Sequence, residues 1–306
     1  MTLPLTSEEK FWAALSQLSA LASGMGMMLP AFAWAANRKK SNYAAFQSLQ
    51  ALGYQSLGYT LWVVAYLVFV TFWVVILALL SPASGKNPVV LNIWLTVLIV
   101  VSIVTFGLYL LLPIIAAVQC GLGRDFRYPI LGDRLARYIG YDPAADDTAP
   151  LDGLHEERFA ASMGHFCVIY PLWGLLVPVG FWAAPEGRSA YMKFQSLQMF
   201  IFQAIGTLVT FALGVIAFII LLVAALPFLA HPGGVYQPSM ESIFAIFIFL
   251  ICLAVAVLVV PLYQIIGQWA GLRILQGRDY RYPLVGRWAG RWLAKREKVP
   301  EQQKLG

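Results

Sequence analysis

Long uncharged apolar runs alternate with short polar stretches along this chain. Residues 50–80, 87–123 and 242–272 contain no Asp, Glu, Lys or Arg. A helical run of about thirty residues reaches about 45 Å, beyond the roughly 30 Å of hydrocarbon in a bilayer. The pattern predicts six apolar segments: 11–36, 46–80 and 89–122, then 159–184, 194–230 and 241–274. The first of each trio is broken, by Gly24, Gly26 and Pro30 or by Pro171, Gly174 and Pro178. The second opens on glutamines and then becomes wholly apolar. The third runs into a basic decapeptide.

That decapeptide occurs twice. Gly123-Arg124-Asp125-Phe126-Arg127-Tyr128-Pro129-Ile130-Leu131-Gly132 returns as Gly277-Arg278-Asp279-Tyr280-Arg281-Tyr282-Pro283-Leu284-Val285-Gly286, identical at seven of ten positions. Residues 8–55 also align with 156–203 without a gap, at an offset of 148. Pro30 and Trp34 match Pro178 and Trp182, and Phe46-Gln47-Ser48-Leu49-Gln50 matches Phe194-Gln195-Ser196-Leu197-Gln198. An ungapped match of this length marks a tandem duplication. The sequence divides into repeat 1 (1–139), a polar acidic linker (140–157), repeat 2 (158–286) and a basic tail (287–306). The six extra residues of the second copy are expected in the loop near 230–241.

Composition places the chain in a membrane. It is 60% hydrophobic and 12% charged, against roughly 25% charged in soluble domains. The first ten residues lack a basic region and carry Glu8 and Glu9, so they are not read as a cleavable signal. The net charge of +6 is assigned to topology and anionic headgroups, because the basic residues flank the apolar runs. No nucleic-acid partner is expected.

Charge also bears on the broken first segments. If they span, each repeat crosses three times, the copies are inverted, and Lys and Arg divide eight against thirteen. If they dip in and return, each repeat crosses twice, the copies are parallel, and every Lys and Arg except Lys86 falls on one face. The second pattern is the one topology favours. The expected fold is therefore an all-α integral membrane protein of two tandem repeats, each with two long transmembrane helices plus a broken re-entrant segment. The alternative is three spans per repeat, six in total, with inverted copies. Both termini are expected at the cytoplasmic face of an inner membrane.

Two sets of residues are candidate sites. Gln47, Gln50 and Gln55, with Gln195, Gln198 and Gln203, form a polar face at the start of each second segment. An amide in hydrocarbon needs a partner, so this face is interhelical glue or the lining of a polar path. The decapeptide contributes Arg124, Asp125, Arg127, Tyr128 and Pro129, and Arg278, Asp279, Arg281, Tyr282 and Pro283, as a surface anchor or a docking motif for lipid or a partner. Gly123 and Gly277 are expected to end the preceding helices. His165, which replaces Gln17 of the first copy, is expected to be a packing residue. Glu8, Glu9, Glu156 and Glu157 fit helix-start roles, with Thr6 or Ser7 as the cap. Cys120, Cys167 and Cys252 lack metal-ligand spacing and read as small hydrophobes. In the tail, Arg287, Arg291 and Lys295, interleaved with Trp288 and Trp292, suit a helix lying at the membrane surface.

These features resemble a family of small bacterial multi-pass proteins of unknown function, related to the Tic-type import component of the chloroplast inner envelope. The likeness rests on His165, Pro30 and Pro178, Trp34 and Trp182, the Phe46-Gln47 and Phe194-Gln195 helix starts, and the two Arg-Tyr-Pro corners. Gln17 departs from it. By analogy only, the resemblance implies a protein-conducting or assembly role. No catalytic cluster, phosphate loop or cofactor motif is found in the sequence. The expected function is a non-enzymatic scaffold or accessory subunit of a membrane complex, with a protein partner or a second copy. The alternative is a translocation or permeation element.

Overall fold

The computed structural model describes residues 5–84, 88–144, 151–183, 189–230 and 240–303. Lys86, the linker residues Asp146, Asp147 and Pro150, and the loop 231–239 with His231 lie outside the described residues. Among the described residues every regular element is helical. Five helical stretches are apolar and long enough to cross a membrane: Ser7–Asn37, Asn42–Ile76, Asn92–Gly121, Ala190–Val223 and Ile243–Leu275.

The first of these stretches is not straight. Helix α1 (Ser7–Leu18) opens on a capping box, in which the Glu9 amide donates to Thr6 Oγ1 at 3.3 Å and the Thr6 amide donates to the Glu9 carboxylate at 2.7 Å. Tight turns follow over Ser19–Met27, broken at Ser23, where φ is 53° and ψ is −136°. The chain then reverses into α2 (Met28–Asn37). Gly26 is obligatory at this reversal, because a Cβ there would lie 1.8 Å from the Ser19 carbonyl oxygen. Its counterpart Gly174 would place a Cβ 2.4 Å from the Cys167 carbonyl oxygen. The glycine repeated in both copies therefore has one steric cause.

The second segment is one long helix in two parts, α3 (Asn42–Gly53) and α4 (Tyr59–Ser84), joined by a single π turn over Tyr54–Gly58. Helix α5 (Pro88–Gly121) returns and leads through the decapeptide into short α6 (Leu131–Ile139). Repeat 2 follows the same plan in α7 (Gly153–Phe166), α8 (Leu176–Ala183), α9 (Ala190–Ala230), α10 (Met240–Leu275) and α11 (Val285–Gln303). Two boundaries differ from the sequence reading. Helix α7 starts inside the stretch read as linker, because Asp152 caps it and accepts the Leu154 and His155 amides at 3.1 Å. Helix α11 takes up Val285, so the basic tail continues the second decapeptide and is the counterpart of α6.

Hydrogen bonds fix the course of the first segments. Ser41, at the start of α3, lies beside the Glu9 carboxylate at the start of α1. Fourteen residues further on, Gln55 donates to the Ser16 carbonyl and to Ser19 Oγ at the end of α1. So α1 runs alongside α3, and α2 comes back to the same end. This helical hairpin is about 20 Å deep at 1.5 Å per residue. Repeat 2 repeats the arrangement: Ser189 donates to Glu157 at 2.6 Å and Gln203 donates to the Gly164 carbonyl at 2.9 Å.

The two hairpins open toward the same end of the molecule. Arg38, just after α2, pairs with Glu157 at 2.7 Å and Glu156 at 3.3 Å. At the same end, the Tyr138 hydroxyl of α6 donates to the Leu275 carbonyl that closes α10. The core sits here and draws on both repeats, with Trp34, Phe46, Leu49 and Leu135 packed with Phe159, Met163 and Phe181. Away from it, α4, α5, α9 and α10 carry exposed apolar side chains such as Leu61, Ile103, Phe211 and Leu258. That is the surface a helix presents to lipid.

Candidate functional site

Four of the six glutamines singled out from the sequence meet the decapeptide corner of their own repeat, Gln47 and Gln50 in the first and Gln195 and Gln198 in the second. The third helix ends as the glycine requires. Gly123 has φ 76°, and the Arg124 amide reaches back to the Gln119 carbonyl; Gly277 has φ 81°, and the Arg278 amide reaches back to the Arg273 carbonyl. Beyond this stop the backbone is irregular, so its carbonyls and amides need partners from elsewhere. The glutamine row supplies them.

In repeat 1, Gln50 grips the corner from both sides. Its Nε2 donates to the Phe126 carbonyl at 2.9 Å, and its Oε1 accepts the Tyr128 amide at 2.7 Å. Gln47 donates to the same carbonyl at 2.9 Å and to Asp125 Oδ1 at 3.1 Å. Asp125 is also held by Arg127 at 3.1 Å. The Tyr128 ring stacks on Tyr54 at 4.1 Å, and its hydroxyl donates to Gln17 Oε1 at 2.7 Å. Gly132, the last residue of the motif, has no room for a side chain: a Cβ would lie 2.5 Å from Gln50 Oε1.

Repeat 2 rebuilds the same clasp. Gln198 donates to the Tyr280 carbonyl at 2.9 Å and accepts the Tyr282 amide at 3.4 Å. Gln195 reaches the same carbonyl at 3.5 Å. The Tyr282 ring stacks on Phe202 at 4.0 Å, and its hydroxyl lies 2.9 Å from His165 Nδ1. His165 Nε2 lies 3.3 Å from Gln195 Oε1. Gln55 and Gln203 stand apart from the clasps and tie the hairpins to α3–α4 and α9.

Position 17/165 joins the clasp. Gln17 accepts from Tyr128 through Oε1 and donates from Nε2 to the Gln47 carbonyl at 3.1 Å. A neutral imidazole protonated on Nε2 does the same, accepting from Tyr282 on Nδ1 and donating toward Gln195. An amide and an imidazole therefore fill one role, which calls for no proton transfer.

The motif's surface is smaller than its sequence suggests. Tyr128 and Tyr282 are each only 3% exposed, so neither offers its ring to a partner or to lipid. Arg124, Pro129, Arg278, Asp279, Arg281 and Pro283 are exposed, while Asp125 and Arg127 are tied to each other. Arg281 lies over the Phe194 ring at 5.0 Å.

A third polar group, at the seam, does not stand out in the sequence. Trp34 Nε1 donates to Glu156 at 2.6 Å, beside the Arg38 pairs, and Ser189 holds Glu157. In repeat 2 the paired carboxylates thus turn toward repeat 1, leaving the capping to Asp152. Burial pushes the Glu156 carboxyl up, against the pull of the Arg38 guanidinium. Losing one partner of such a pair costs about 3–5 kcal/mol. Among the described residues no three His, Cys, Asp or Glu side chains come together in a way that would hold a metal ion.

Apolar spans carrying a buried amide clasp in each of two like halves define a multi-pass helical membrane protein built by duplication. Residues 8–135 and 156–289 each match the magnetosome magnetite crystal formation protein family. The chain belongs to that family, with one match on each repeat. The match supports the bacterial membrane family of the sequence reading and carries no link to chloroplast import. No curated protein and no solved structure matches the chain.

The equivalence of Gln17 and His165 gives a direct expectation. In the full chain in detergent, His165→Gln keeps the wild-type unfolding temperature. His165→Leu leaves the Tyr282 hydroxyl buried without an acceptor and lowers stability by about 1–3 kcal/mol. Thermal unfolding of the two variants side by side checks it.

Proposed function

We propose that this protein is a non-enzymatic accessory scaffold of a membrane complex. The supporting observation is the pair of clasps, each of which pins the backbone of an irregular corner with glutamine side chains. The clasp amides are spent on the corner backbone, which favours glue over the lining of a path. What each corner leaves outside is a small edge of arginine, aspartate and proline suited to docking a protein partner. The family's name supplies the setting: the chain would serve in the magnetosome membrane, in complexes that form magnetite crystals. Helix α11 would lie against anionic headgroups, with Arg287, Arg291 and Lys295 exposed beside Trp288 and Trp292.

In this reading each repeat crosses the membrane twice, and each hairpin enters and leaves on the cytoplasmic face. The Ser189–Glu157 bond and the nearness of Ser41 to Glu9 support it. So does the one-sided distribution of Lys and Arg.

Two experiments test the proposal. Native mass spectrometry of gently solubilised membranes should show a co-purifying protein with the wild type. The pair Arg124→Glu with Arg278→Glu should release it without changing the unfolding temperature. A wild-type protein that emerges alone overturns the scaffold reading. For topology, Glu8→Cys and Lys40→Cys should react with an impermeant maleimide from the same side of the membrane. Reaction from opposite sides would establish that the first segment spans.

A further inference from the structure

At the seam between the repeats the thiol of Cys167 meets the thioether of Met27, and Met163 stands one helical turn away; the clasps use none of the three. Cys167 Sγ lies 3.2 Å from Met27 Sδ and donates to the Met163 carbonyl at 3.1 Å. Met163 precedes Cys167 by four residues, so their side chains share a face. Its sulfur accepts the Ser56 hydroxyl at 3.2 Å. All three side chains are fully buried. Met27 and Ser56 come from repeat 1, Met163 and Cys167 from repeat 2, so the group exists only where the two halves meet. At the matching positions of the other copy stand Leu175, Leu15 and Ser19. The sulfurs are therefore not inherited from the repeat pattern.

We propose that Cys167, Met27 and Met163 form a binding site for one monovalent soft metal ion, copper(I). Thiolate and thioether donors select copper(I) among the common metals. The charge balance points the same way. As the sulfur–copper bond forms, the S–H bond breaks and its proton leaves to water. One positive charge replaces another, and the two thioethers add none. The buried site stays neutral, whereas zinc(II) or iron(II) would leave an unpaired charge in an apolar interior. The methionines have the rotatable bonds needed to open from sulfur contact to ligand spacing. This inference does not depend on the scaffold reading.

The test is an anaerobic competition between the full chain in detergent and a chromogenic copper(I) chelator. The wild type should take one copper per chain, with a shell of sulfur alone in X-ray absorption, and should take no zinc(II). Cys167→Ala should take none. Met27→Leu, which conserves volume and fold, should bind at least tenfold more weakly. A wild type that takes no copper overturns the proposal. So does uptake that persists in Cys167→Ala, since the metal would then sit at Cys120 or Cys252.

Discussion

An irregular turn at the edge of hydrocarbon must find partners for its backbone, and in this chain two glutamines per repeat provide them. The third helix of each repeat stops at a left-handed glycine, and the next residues make no helical hydrogen bonds of their own. Gln50 and Gln198 each bind a carbonyl and an amide of that turn at once. An unpaired amide or carbonyl at such depth costs about 1–3 kcal/mol, so the turn and the glutamine row depend on each other. The tyrosine between them is drawn inward by its hydroxyl and its stacked ring. The hairpin is fastened to the same row, through Gln17 or His165 and through Gln55 or Gln203.

Duplication left the two clasps alike and made the seam between them unlike. Glu9 at the start of α1 closes a capping box, while Glu156 and Glu157 in α7 take Arg38, Trp34 and Ser189. The position of Trp34 is filled in repeat 2 by Trp182, which donates within its own repeat to Ser196 at 2.9 Å. The halves are thus joined by contacts that only one of them makes.

Much of this was legible in the sequence. The six apolar segments, the duplication, the glycine stops at Gly123 and Gly277, and the polar character of the glutamine face follow from period, spacing and composition. What was not legible was who meets whom. Sequence spacing put Gln47 and Gln50 on one helix face, but the partner lies 76 to 79 residues away, at Phe126. The inward turn of Tyr128 and Tyr282 was hidden because an aromatic beside arginine reads equally well as an interface residue. Helix α7 started early because the cap is Asp152, in a stretch whose acidic residues suggested only a solvated linker. One signal for position 17/165 was present: two residue types that each accept at one end and donate at the other, at matching places in two copies.

The corner depends on the clasp, and hydrogen–deuterium exchange of the corner in the full chain, with one glutamine removed, measures that dependence most directly. Gln50→Leu takes the acceptor from the Tyr128 amide. The peptide covering 124–132 should then lose protection, while the matching peptide over 278–286 keeps it. Equal protection of the first corner in wild type and variant would contradict the account.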